Sequence, residues 1–130
     1  MMRPKHFDPV EAELADEPER FAGAVSRKDL FRHGEEAGTD VTGVYFAPGA
    51  RTLPHVHSVD QVLYAVSGRG AVSVEGEVHE LLPGDWMVIP AHAHHWHGSI
   101  SEEESFTQMA LKAGGTTRWL QADDEWHRHE

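Results

Sequence analysis

Gly49-Ala50-Arg51-Thr52-Leu53-Pro54-His55-Val56-His57-Ser58-Val59-Asp60-Gln61, followed by Gly68 and then by Gly84-Asp85, Pro90 and His95, decides the reading of this chain. Residues i and i+2 of an extended strand project to one face, so His55 and His57 present two imidazoles to a single ion. Gln61 adds an amide oxygen and His95 a third imidazole. The pattern predicts a four-ligand metal site assembled from two strand-rich segments.

The texture around this stretch is that of many short strands. From Thr42 onward, β-branched and aromatic runs fall at 42–47, 61–67, 71–75, 78–82, 86–89, 95–99 and 106–111. Pro48-Gly49, Ser67-Gly68-Arg69-Gly70, Glu75-Gly76, Pro83-Gly84-Asp85 and Pro90 punctuate them. Strands without intervening helices favour an all-β fold, either a closed barrel or a double-sheet jelly roll. Apolar residues on such strands usually pack inward, which marks Val62, Tyr64, Val66, Trp86, Val88 and Ile89 as core. Before residue 40 the chain is polar and is broken by Pro4, Pro9 and Pro18, with a short helical turn expected at 16–21. The expectation is one domain over 1–130, with a barrel core at about 40–113, an irregular N-terminal arm (1–39) and a peripheral tail (114–130).

Composition excludes several classes. A hydrophobic content of 39% and a charged content of 25% fit a globular chain. No apolar run approaches the ~20 residues that span a bilayer, and the start Met1-Met2-Arg3-Pro4-Lys5-His6 is not a signal peptide. The absence of cysteine removes disulfides and thiolate ligands, and a cytoplasmic location is expected. A net charge of −11, with acidic runs at Glu102 to Glu104 and Asp123 to Glu125, would repel phosphate backbones. Nucleic acid and membrane are therefore not expected partners.

Eleven histidines make a single His-x-His pair weak evidence. Four such pairs occur, at His55/His57, His92/His94, His95/His97 and His127/His129, and only the first follows a turn and precedes a strand bearing Gln61. His92 and His94 read as turn residues.

These intervals resemble the cupin family, whose motifs are G-x5-H-x-H-x3,4-E-x6-G and G-x5-P-x-G-x2-H-x3-N. Gly49, His55, His57, Gln61 and Gly68 keep every interval of the first, with Gln in place of Glu. Gly84, Pro90 and His95 keep those of the second, with His92 for Gly and Ser99 for Asn. His tolerates the positive φ that the Gly position implies. Ser for Asn is expected to remove one strand-end hydrogen bond. The resemblance implies a double-stranded β-helix, a jelly-roll barrel holding metal inside, often in a homodimer. Gln61 together with His95-Trp96-His97-Gly98, and 21–25 and 48–52 besides, are similar to the small single-domain bacterial cupins that include the manganese-dependent hydroxynitrile lyases.

The donor set carries its own chemistry. Neutral imidazoles and a neutral amide leave a divalent ion its full charge, which favours a Lewis-acid role and an anionic small-molecule substrate. Nitrogen and oxygen donors suit Mn, Fe, Co, Ni or Zn without choosing among them, and the two positions that four protein ligands leave open favour an octahedral ion, with Mn or Fe expected before Ni, Co or Zn. His97, two residues beyond His95, is the candidate catalytic residue, a general base or proton shuttle. Thr52 and Gln108 are candidate polar groups for substrate binding, Gln108 facing inward only in one strand register. The expected function is a metal-dependent lyase, isomerase or decarboxylase of hydroxynitrile lyase type. The competing readings are an Fe-dependent dioxygenase and a non-catalytic binding module.

Overall fold

The computed structural model describes residues 3–120. The His127/His129 pair and the acidic run at 123–125 lie outside them. The strands, numbered in chain order, form two sheets whose named strand pairs are all antiparallel. The first runs Glu13–Leu14 (β1), Val25–Phe31 (β3), Asp40–Phe46 (β4), Phe106–Lys112 (β12), Gln61–Gly68 (β7) and Trp86–Ile89 (β10). The second runs Thr117–Trp119 (β13), His55–His57 (β6), His95–Ser99 (β11), Arg51–Thr52 (β5) and Phe21–Ala22 (β2). Gly70–Val74 (β8) pairs with β11 and with Glu77–Leu81 (β9).

The all-β expectation holds, but the closed double-stranded β-helix barrel does not. Among the described strands, β1 and β10 end the first sheet without pairing to the second, so the architecture is two open sheets. The chain passes between sheets through turns rather than through strands shared by both. Arg69 alone separates β7 in one sheet from β8 in the other. Both sheets contribute to one core: Val25, Val44, Phe46, Leu63, Ala65, Ile89 and Phe106 from the first, Phe21, Val72 and Leu81 from the second.

Two further expectations change. The N-terminal arm contains strands β1 to β3, and β3 pairs with β4 from Val25↔Phe46 to Phe31↔Val41. Of the six apolar residues assigned to the core, only Ile89 is buried. The period of two places Leu63 and Ala65 inward, leaving Val62, Tyr64 and Val66 on the outer face, with Trp86 and Val88 exposed beside them. The Trp86 and Tyr64 rings meet there at 4.4 Å.

Turn chemistry follows the sequence closely. His92 stands at φ 67, the left-handed conformation its motif position implies. Ser99 is not an empty replacement: its hydroxyl lies 2.7 Å from the Glu104 carbonyl and accepts from Ser101 N at 3.2 Å, binding the end of β11 to the following turn. Gly68 and Gly84 both have positive φ (83° and 95°), but a Cβ on Gly68 would collide with the Ser105 carbonyl, whereas Gly84 faces open space. Gly84→Ala should therefore cost only the conformational penalty of about 1 kcal/mol. Gly68→Ala should cost clearly more, a ranking that paired urea unfolding curves will check.

Candidate metal centre

The β6 and β11 strands set the site. His95 pairs directly with His55, and alternation turns His55, His57, His95 and His97 inward, at 3%, 6%, 1% and 5% exposure. Gln61 opens β7, Thr52 closes β5 and Gln108 lies on β12, all three side chains buried. Thr52, His55, His57, Gln61 and His97 face one cavity and Gln108 meets His97, but the histidines close enough to share an ion are His55, His95 and His97, which takes in the expected proton-moving residue and not the expected ligand His57. Ring centroids lie 4.1 Å apart for His55 and His95, and 5.0 Å for His57 to each of them. His97 lies 5.7 Å from His55 and 5.8 Å from His95. One nitrogen from each of His55, His95 and His97 falls within 4.8 Å of the others, a group able to hold a metal ion.

Hydrogen bonds decide which nitrogens are available. His55 Nδ1 donates to the Leu53 carbonyl at 2.7 Å and His95 Nδ1 to the Ala93 carbonyl at 3.1 Å. A carbonyl only accepts, so both rings carry the proton on Nδ1 and present the Nε2 lone pair. His57 Nδ1 meets Thr117 Oγ1 at 2.8 Å. Gln108 Nε2 donates to His97 Nδ1 at 2.9 Å, and the His97 backbone N–H donates to Thr52 Oγ1 at 3.1 Å. His57 Nε2, His95 Nε2 and Gln61 Oε1 are buried without a protein partner. Orphaned buried acceptors cost about 1–3 kcal/mol each, and nitrogen and oxygen atoms of this kind are the donors a divalent ion takes. The residues fit a divalent metal.

Burial holds the imidazoles neutral, the form that binds metal. It lowers His57, with help from nearby Lys112 and opposed by the neighbouring Gln61 side chain, to about 4. Burial likewise brings His95 to about 4. His55 and His97 are driven well below the ordinary histidine value, first by burial and then by neighbouring imidazoles.

Thr52, His55, His57, Gln61 and His97 line a cavity of about 570 Å³. Several other lining residues were not anticipated. Phe21 and Trp119 form an aromatic wall, with Trp119 4.3 Å from the His55 ring, and Arg20 and Arg27 lie over Trp119 and Phe21 at 5.6 and 5.2 Å. Thr117 and Trp119 belong to β13, within the segment expected to be a peripheral tail. The sequence marks that strand only by Gly114-Gly115 before it, since the alternation in Thr117-Arg118-Trp119 is too short to establish a period.

The buried histidines of this all-β chain form a group able to hold a metal ion beside a cavity of small-molecule size. Residues 44–107 match the cupin domain, and the chain belongs to the cupin family. The (R)-mandelonitrile lyase of Granulicella tundricola is 32% identical over 114 residues, which cover 83% of this chain and 86% of that protein. The dimethylsulfoniopropionate lyase DddW of Ruegeria pomeroyi is 30% identical, over 78% of this chain and 66% of the relative. The crystal structure of a cupin-like protein from Thermotoga maritima superposes with a TM-score of 0.80 at 28% identity, covering 95% of this chain and 97% of that one. The metal-binding histidine group and the kinship with lyases make this chain a metal-dependent small-molecule enzyme.

The lowered histidine values imply a pH dependence. An unfolded histidine gains its proton near 6.5, whereas folded His57 and His95 gain theirs near 4. Between those values the unfolded chain holds more protons, so stability falls as pH falls. The metal-free protein should lose on the order of 2 kcal/mol for each of these two residues between about pH 7 and about pH 5, read from urea midpoints.

Proposed function

We propose that the chain is a lyase of hydroxynitrile lyase type, in which His55, His57, His95 and Gln61 hold Mn or Fe and His97 moves the proton. The observation that carries this is the set of three orphaned atoms, His57 Nε2, His95 Nε2 and Gln61 Oε1, in three of the four residues with metal-ligand spacing. A divalent ion held there would supply Lewis acidity. By distance His97 belongs with His55 and His95, and what sets it apart from those two is its hydrogen-bond partner. Where His55 and His95 bond to carbonyls, His97 Nδ1 faces an amide that offers a donor as it stands, and an acceptor, Gln108 Oε1, on rotation. Gln108 therefore supports both tautomers of His97, as a proton-moving residue requires, and Thr52 fixes the His97 backbone. Phe46, edge-on at 5.9 Å, helps exclude water from that ring.

The cavity supports a small substrate, with anionic groups favoured. Arg20, Arg27, Arg32 and Lys112 line it against Asp29, Glu35 and Asp40, in a chain with 22 acidic and 11 basic residues. Arg20 and Arg27 share the Glu17 carboxylate, at 2.8 and 2.9 Å. These ion pairs are partly exposed and so exchange cheaply for a substrate carboxylate. A homodimer belongs to the same reading, supported by the exposed Trp86 and Val88 on edge strand β10. Sedimentation of the purified chain as a monomer would remove it.

Elemental analysis after metal-replete expression should find about one Mn or Fe per chain, lost in His57→Ala. Strong metal retention by Gln61→Ala would place the amide outside the ligand set. With metal in place, His97→Ala should lower kcat for mandelonitrile cleavage by about 10²–10⁴-fold, followed as benzaldehyde release. Turnover that consumes oxygen would instead indicate a dioxygenase. Arg27→Ala should raise KM for a carboxylate-bearing substrate and leave that for a neutral nitrile unchanged.

A further inference from the structure

We infer that Thr117 is a positioning residue of the metal centre, orienting His57 and fixing its tautomer, and that β13 is the part of the fold that supplies it. This rests on the reading of His57 as a ligand. The β13 strand pairs antiparallel with β6, placing Thr117 opposite His57 and Trp119 opposite His55. Each of the two histidines of β6 thus meets a side chain from this short strand. The Thr117 hydroxyl lies 2.8 Å from His57 Nδ1, and the Trp119 ring lies 4.3 Å from His55 at an interplanar angle of 30°.

The three imidazoles differ in how they are held. His55 and His95 are locked by backbone carbonyls two residues earlier in the chain, which no substitution removes. His57 depends on a side chain 60 positions away. With His57 Nε2 buried and unpartnered, a metal needs the lone pair there, which requires the proton on Nδ1 and the Thr117 oxygen as its acceptor. A hydroxyl, unlike a carbonyl, can also donate, so this contact fixes the tautomer only when Thr117 accepts.

The strand is anchored independently of that hydroxyl. Ser58 N donates to the Thr116 carbonyl at 3.0 Å, Thr116 N to Ser58 Oγ at 2.8 Å, and Leu120 N to the Pro54 carbonyl at 3.0 Å. Thr117→Val therefore removes the acceptor while keeping the β-branched shape and the strand's other bonds.

The test titrates Mn(II) into the metal-stripped full chain and into Thr117→Val, Thr117→Ser and His57→Ala, reading free Mn(II). Thr117→Val should weaken binding by about 10–100-fold, Thr117→Ser should restore it, and His57→Ala should show the larger loss. Wild-type affinity in Thr117→Val with binding lost in His57→Ala would overturn the role of Thr117 and leave the ligand reading standing. Wild-type affinity in His57→Ala would overturn the ligand reading, and this inference with it. Equal weakening in the Ser and Val variants would assign the effect to packing and also overturn the proposal.

Discussion

The pairing of His95 with His55 is the constraint on which the site depends. It joins β6 to β11, and a slip of one residue would turn every histidine of one strand away from the cavity. A single rung is a weak register determinant, so the flanking strands matter. On one side β8 pairs with β11 over five successive residues, from His95↔Val74 to Ser99↔Gly70. On the other, β13 pairs with β6 over all three of its residues. The histidine strands are thus held by neighbours that carry no candidate metal ligand, and of these β8 belongs to the shared core through Val72.

That register places four imidazoles and two amides in an interior otherwise built from Phe46, Phe106, Leu63 and Ile89. Apolar side chains there would pack at less cost, since each polar group loses water on burial. Every imidazole recovers one hydrogen bond through Nδ1, which fixes ring orientation. The second nitrogen of His57 and of His95 recovers none from the protein. A purely structural cluster would be expected to close these bonds internally. The arrangement satisfies Nδ1 of each ring and leaves Nε2 of His57 and of His95 without a protein partner, as a preorganised ligand set would.

The site was more legible than the architecture around it, for physical reasons. His55/His57 and His95/His97 are related by the period of a strand, a local property that survives any arrangement of sheets. Gln61 and the positive φ at His92 were likewise readable from intervals along the chain. Closure of the barrel was not, because strand runs and turn residues are the same whether the outermost strands pair or remain edges. Strand β3 escaped notice because its centre, Ser26-Arg27-Lys28-Asp29, is polar on both faces. The outer face of β7 misled in the opposite direction: Val62, Tyr64 and Val66 are apolar yet lie outside the core. Thr117 and Trp119 sit in a strand of three residues, too short for periodicity to register.

Charge ties the centre to its surroundings. Glu at position 61 would bring a negative charge to the ligand set, and Gln61 does not. Lys112, which faces His57 closely enough to lower its basicity, is itself paired with Asp40 at 3.1 Å. Arg20 and Arg27 are satisfied by Glu17 in the same way. The cavity therefore keeps its cations in place by means of carboxylates from its rim, while its buried floor contributes only neutral donors. Each of these cations is matched by a carboxylate, so the rim is close to balanced and a ligand carboxylate would gain a cation only by displacing one of those partners.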